Sequence, residues 1–563
     1  MPQLHDIAIK KVITDTSNIV LKTIWPIISD QASNPNISLP CTSSLIKAFL
    51  AFKRQDPWMI KTFQNYRVLA KVRGCRTDDP KEVTPLQVFS LSVLSALSFI
   101  VLLATLAEWC LQGVAPKVLV MRIFLMFSAT SNTKDLLKTS GKGLNQSLLF
   151  LSGMKVICAY WVLLAHEYIA LQPEFLHSPF ELLRLGSTLR FQFIANSVLS
   201  VTTFFVISGF LLSFTMLHAQ PTLYVFFTCI AKRYIRLTLP VMATVLVAFL
   251  LPLIANGPAD QDLILQQIRG CTSHWWTLMA QVNNFTPLHE RCLSHLWYVS
   301  AEMQIFTFIA LPLALLLCRY RKIGVTLSVT LVLTFATIAT IQTYTWQLFY
   351  GITFGTNDGR RFAATLELIH FRPFVHVPEY VCGVVCGYLA VRYQKYHLRK
   401  VIEIVLWLAS LGLASFVMFV TVPWNEGRMP DGLTNAIYGG CHRVLWSIGL
   451  FWPMFACATK NGGLLNKFLS WNVFIPLSRL TYGIYLVHLL FHLLRMANTK
   501  TAIDVDEYLQ IRNSIGTFGL SVLLAYLLYL TCEAPTQHLC KLLFARPKSN
   551  PVTTVSTTET TLK

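Results

Sequence analysis

Long apolar stretches, each closed by a short polar interval, recur along the chain from residue 86 almost to its end. A helix needs about 20 apolar residues to cross about 30 Å of hydrocarbon. Runs near that length fall at roughly 86–107, 150–171, 195–217, 237–255, 294–318, 323–344, 374–391, 401–422, 438–459, 473–494 and 515–532. The pattern predicts an all-α, polytopic membrane bundle of about 11 transmembrane helices over residues 86–540. A tail, 1–85, precedes it, and a Thr-rich disordered cytosolic tail, 541–563, follows. The run at 374–391 is short and carries Glu379.

Composition agrees, with 54% hydrophobic and only 13% charged residues among 563. Aromatics at 12% suit interfacial belts. The formal charge of +20 would fit nucleic acid if it sat on one soluble face, but it is spread over loops. Lys and Arg number 21 in 108–149, 218–236, 319–322, 392–400, 460–472 and after 533, against 11 in the alternate loops. The positive-inside rule then puts the first set and the C-terminus in the cytosol. The expected partner is membrane lipid, with no nucleic acid. An odd number of spans puts the N-terminal tail outside, where its twelve Lys and Arg run against the rule. Export by the first span, an incomplete start or a miscounted span would each reconcile the two.

Titratable groups inside apolar runs are costly and by default mark a reaction or transport path. Lys155 and His166 share the run 150–171. Eleven steps of about 100° return to within about 20°, so both lie on one helix face, about 16 Å apart. The same topology brings Asn196, Thr202, Thr203, His295, Trp297, Ser300, Glu302, His376, Glu379, His442, Arg443, Tyr485 and His488 to similar depths. Pairing for packing is one account, and a polar cavity open toward the exterior half is the other. In the cytosolic half, Arg233 and Arg236 lie three apart on one helix face. They suit either a phosphate or the membrane headgroups. Arg479 and Glu533 are expected to form a structural pair.

The fourteen cysteines show no metal spacing, and no metal site is expected. Most sit inside spans as small apolar side chains. Cys271 and Cys292 flank an exterior loop, 256–293, where a disulfide fits an oxidising compartment and two free thiols are the alternative. Asn284 opens an Asn-Phe-Thr glycan acceptor sequence, with Pro287 against its use.

Lys155-x10-His166, Phe204-Phe-Val-Ile-Ser-Gly-Phe210, Arg233-Tyr-Ile-Arg236, His295-Leu-Trp-Tyr-Val-Ser-Ala-Glu302 and Ser478-Arg-Leu-Thr-Tyr-Gly-Ile-Tyr-Leu-Val-His488 occur in that order. Together they resemble the acyltransferase type 3 membrane family, and within it the branch named nose resistant to fluoxetine. Phe127-Ser128, Asn132, Lys134, Trp275-Trp276 and the Cys271 and Cys292 pair add to the likeness, which runs from about Cys75 to about His538. Family members carry arginine where this chain has Lys155, and the branch carries an acidic residue where this chain has Thr203. The branch's cysteine-rich N-terminal domain looks reduced.

The resemblance implies a membrane O-acyltransferase moving an acyl group from cytosolic acyl-coenzyme A to a hydroxyl acceptor, lipid or small molecule, with no bound cofactor. A neutral histidine with a pKa near 6.5 suits the proton transfer. His166 is the expected base and Glu302 the carboxylate that orients it. Arg233, Arg236 and Lys155 are expected at the donor, and His295, Trp297, Ser300, Tyr485 and His488 at the acceptor or cavity. The expected location is the endoplasmic reticulum or plasma membrane. A lipid or small-molecule transporter on the same scaffold is the alternative, but it would want inverted repeats and paired broken helices, and none is visible.

Overall fold

The computed structural model describes residues 82–111, 118–139, 146–171, 176–177, 179–217, 222–256, 260–352, 358–394, 398–499, 501 and 503–544. Of the two expected tails, all but 82–85 and 541–544 lie outside the described residues. Among those described, every element is helical apart from one isolated bridge between Leu176 and Ile503.

Eleven long helices form the bundle: α1 Pro85–Cys110, α2 Phe150–Ile169, α3 Val198–Met216, α4 Leu223–Ile254, α5 Ser294–Arg319, α6 Arg321–Thr345, α7 Pro373–Arg392, α8 Lys400–Phe419, α9 Gly432–Ala458, α10 Phe474–Ala497 and α11 Glu507–Leu543. Ten are long and apolar enough to cross a membrane. The other, α9, is 27 residues long but carries Asn435, His442 and Arg443 inward. It packs along α6, α7 and α8, which do qualify, so it lies within the bundle. The chain is a multi-pass membrane protein.

Burial separates the layers. The most apolar windows of α7 and α3 are 72% and 61% buried, whereas those of α1, α6 and α8 are 11%, 17% and 22% buried and show their Leu, Ile and Phe side chains outward. The inner pair is α3 and α7. Gly209 faces the backbone of Tyr380, while Gly383 and Gly387 face the carbonyls of Val206 and Phe210. Small residues at these positions let two membrane helices touch backbone to backbone. The glycine of the Phe-Phe-Val-Ile-Ser-Gly-Phe motif therefore has a packing reason.

Two expectations about boundaries change. The helix α4 begins at Leu223 rather than near 237. Lys232, Arg233 and Arg236 interrupt the hydropathy there without interrupting the helix, because Lys and Arg are good helix formers. The segment 256–293 is also more than a surface loop. Its helix Asp260–Met279 packs along α4, and Tyr234 donates to the Met279 carbonyl at 2.8 Å while Gln281 donates to Thr238 at 3.0 Å. The segment, kinked at His274, therefore reaches the level of the arginine motif before the chain climbs back. Cys271 and Cys292 tie the descending and returning limbs, Cα to Cα 4.2 Å.

Among the described residues, three π-turns interrupt the spans or their approaches, at Phe306–Ala310, Leu366–His370 and Tyr529–Glu533. Such turns are rare and concentrate at functional sites.

Candidate active site

His166 stands near the C-terminal end of α2 with its ring 4.9 Å from that of His488 on α10. Its Nδ1 lies 2.8 Å from the Val162 carbonyl, which only accepts, so Nδ1 carries the proton and Nε2 the lone pair. His488 repeats the device, giving Nδ1–H to the Tyr485 carbonyl at 2.7 Å and leaving Nε2 without a partner. His295 gives Nε2–H to the Leu486 carbonyl at 3.0 Å and leaves Nδ1 bare. His295 lies 5.4 Å from His488, and the Tyr485 hydroxyl donates to the His295 carbonyl. Four of the expected residues, His166, His295, Tyr485 and His488, thus form one ring cluster.

Beside it is a group sequence reasoning missed. Glu167 is fully buried and accepts from Thr517 at 2.8 Å, with Arg495 at 2.6 Å and His492 at 3.4 Å. The His492 ring stacks toward His166 at 6.4 Å. His488, His492 and Arg495 sit at i, i+4 and i+7 on α10, one helix face, a spacing that was there to be read.

Glu302 goes elsewhere than expected. Arg233 holds both its oxygens, through Nε at 3.1 Å and Nη2, and the Tyr380 hydroxyl donates to it at 3.2 Å. The orienting group on His166 is the Val162 carbonyl rather than this carboxylate. Arg233 also lies 4.3 Å over the Phe306 ring, in the first π-turn. Its inward pairing is unlike a snorkelling headgroup anchor, whereas Arg236 is exposed. Both arginines act electrostatically on Lys155, and Arg236 also on Glu533, which ends the third π-turn. Arg479 does not pair with Glu533. It donates instead to the Asp135, Leu136 and Lys138 carbonyls, closing the helix Ala129–Leu137, whose last carbonyls would otherwise be open.

The two halves are joined. Tyr298 lies within reach of Arg233 at one end and 5.4 Å from Tyr485 at the other; Tyr485 is 5.8 Å from His488. Lys155, Tyr298, Tyr482, Tyr485 and His166 are all half-buried.

Trp297 belongs to a second cluster, its ring 4.7 Å from His370 and 5.3 Å from His376. His376 bridges Glu379 and the His370 carbonyl, both at 2.9 Å. Arg443 and His442 of α9 complete it. Burial, with His376 and Arg443 near, holds the His370 imidazole well below its usual range, so it is neutral. Ser300 is buried with no hydrogen bond among the described residues. Asn196 bonds Met418 and Thr421 and serves packing against α8. Asn284 is fully buried and bonds Gln304 in both directions, at 3.1 and 2.9 Å, so its glycan acceptor sequence is closed to modification.

A family model described as an acyltransferase domain, Acyl_transf_3, matches residues 148–530, more than half of the chain. The chain belongs to this family. The match spans both clusters, and the protein is a membrane acyltransferase. It is similar to Nose resistant to fluoxetine protein 6 of Caenorhabditis elegans, 25% identical over 93% of this chain and 68% of the relative. The O-acetyltransferase OatA of Staphylococcus aureus is 23% identical over 53% of this chain, which spans 46% of that relative. Regulator of hypoxia-inducible factor 1 of Caenorhabditis elegans is 25% identical over 61% of this chain and 69% of its own length. No solved structure matches the chain.

Proposed function

We propose that the protein transfers an acyl group from acyl-coenzyme A, entering from the cytosolic side, to a hydroxyl acceptor in the exterior half. The observation that carries this reading is the line of polar and aromatic side chains that runs inward from the exposed Arg236, with Arg233 and Lys155, through Tyr298 and Tyr485 to His488 and His166. Arg236 and Lys155 hold donor phosphates, and Glu302 positions Arg233 at the mouth. The acceptor hydroxyl oxygen attacks the thioester carbonyl carbon while His166 Nε2 takes its proton. The C–S bond then breaks, and the proton returns to the leaving coenzyme A sulfur. The resulting imidazolium is linked through His492 to the carboxylate of Glu167. The oxygen-directed acetyl transfer named for the bacterial relative supports a hydroxyl acceptor here. The endoplasmic reticulum or plasma membrane is the proposed location.

The test is hydrolysis and transfer by purified full chain with acyl-coenzyme A. His166→Ala should abolish turnover while donor binding persists. Arg236→Ala should raise the donor concentration for half-maximal rate about tenfold to a hundredfold, the worth of one charge-assisted phosphate contact. Equal donor affinity in both would return Arg236 to a headgroup anchor. Lipid movement across vesicles with no thioester cleavage would favour a transporter.

A further inference from the structure

The exterior half holds a guanidinium whose charge its surroundings do not balance. Arg443 is 3% exposed. Its hydrogen bond is a long one, 3.4 Å from Nη1 to the Gly439 carbonyl, and its Nε is buried with none. Among the described residues, the carboxylate that acts on it is Glu379, without an ion pair closing between them; Glu379 Oε2 is itself buried and unpartnered.

Glu379 is already spoken for. His376 Nε2 donates to the His370 carbonyl, and Nδ1 faces Glu379 Oε1. A lone pair against a carboxylate oxygen at that distance would repel, so a proton lies between them. Imidazolium with carboxylate and imidazole with carboxylic acid both sum to zero. His442 gives Nδ1–H to the Tyr438 carbonyl at 2.8 Å, and His370 is neutral. One positive charge remains, on Arg443. An unpaired buried ion is strongly unfavourable, and inside a bilayer it points to function.

Its depth matches the base. Trp161 of α2 and Trp446 of α9 touch, with centroids 6.1 Å apart. Counting toward the exterior from that contact, His166 rises about 7.5 Å and Arg443 about 4.5 Å. His370, whose Nδ1 is buried without a partner, is within electrostatic reach of both.

We propose that Arg443 and His370 form a subsite for an anionic group, carboxylate or phosphate, on the acceptor substrate. The word acceptor rests on the transferase reading; the anion site stands on the charge count. The guanidinium supplies Nε–H beside Nη donors, the fork that suits either anion, and the unpartnered His370 Nδ1 adds a contact to an oxygen of the same group. The anion's source is an outer-leaflet lipid headgroup or a soluble molecule.

The experiment uses the full chain in uncharged detergent, in an Arg236→Ala background that weakens phosphate binding at the donor mouth. Dihexanoyl phosphatidic acid and inorganic phosphate are titrated separately, with dihexanoylglycerol as the neutral control, reading saturable binding and the thermal midpoint. The parent should bind an anion, with Arg443→Gln at least about tenfold weaker and Arg443→Lys between. Phosphatidic acid alone binding assigns the lipid source, and phosphate binding assigns a soluble one. Without ligand, Arg443→Gln should melt at or above the parent, because an unpaired charge has been removed. A lower midpoint, equal binding by parent and Arg443→Gln, or binding of neither anion would overturn the proposal. His166→Ala should bind the anion as the parent does, so a failed transferase assay with intact anion binding would count against the chemistry alone.

Discussion

The Val162 carbonyl, one turn before His166, fixes which ring nitrogen can act as a base. That detail was not legible in the sequence, since any helical residue four positions earlier offers a carbonyl. What was legible was the cost of a histidine inside an apolar run. The partner of Glu167 was hidden for another reason: Arg495 comes from a distant helix, and only folding brings the charges together. Their pairing makes a sharp prediction. Arg495→Ala leaves the fully buried Glu167 uncompensated and should lower unfolding stability by about 3–5 kcal/mol, whereas Glu167→Ala, which leaves a half-buried Arg495, should cost less. The double change Glu167→Ala with Arg495→Met should recover most of the loss in thermal unfolding. Additive losses would mean the two residues act independently.

Among the helices, position was read well and ends were read poorly. The pattern of apolar runs located all eleven long helices but placed the start of α4 late, because charged residues inside a continuing helix look like a loop. The helix α9 was visible to the eye although its inward polar face keeps it from qualifying by hydropathy. The close approach of α3 and α7 depends on glycines whose role emerges only from contact. Gly383→Val should prevent a monodisperse folded protein in size-exclusion chromatography, since its side chain would overlap the Val206 carbonyl. Gly412→Val, on α8 with nothing within 4 Å, should behave as wild type. The π-turns were not foreseeable, yet each delivers a side chain to a cluster: Phe306 to Arg233, His370 to Trp297 and Glu533 toward Arg236.

For the molecule as a whole, the segment after α4 was the part least well anticipated, because a helix with Asp260, Asp262, Arg269 and His274 looks like surface. Its tether should matter: Cys271→Ser should cost about 3 kcal/mol, the order expected for a loop of this size, and be visible as a lower thermal midpoint. Asn284 should carry no glycan, so glycosidase should leave the mass unchanged. Asn284→Ala should still destabilise, by about 1–3 kcal/mol, because the Gln304 amide loses its buried partner. The descent of Asp260–Met279 also has a bearing on sidedness. A limb that goes down and comes back adds no net crossing, so it leaves the odd-or-even tally of the chain untouched. Impermeant labels placed at Asn256 and at Ser294 should therefore report the same compartment, however deep the intervening residues reach.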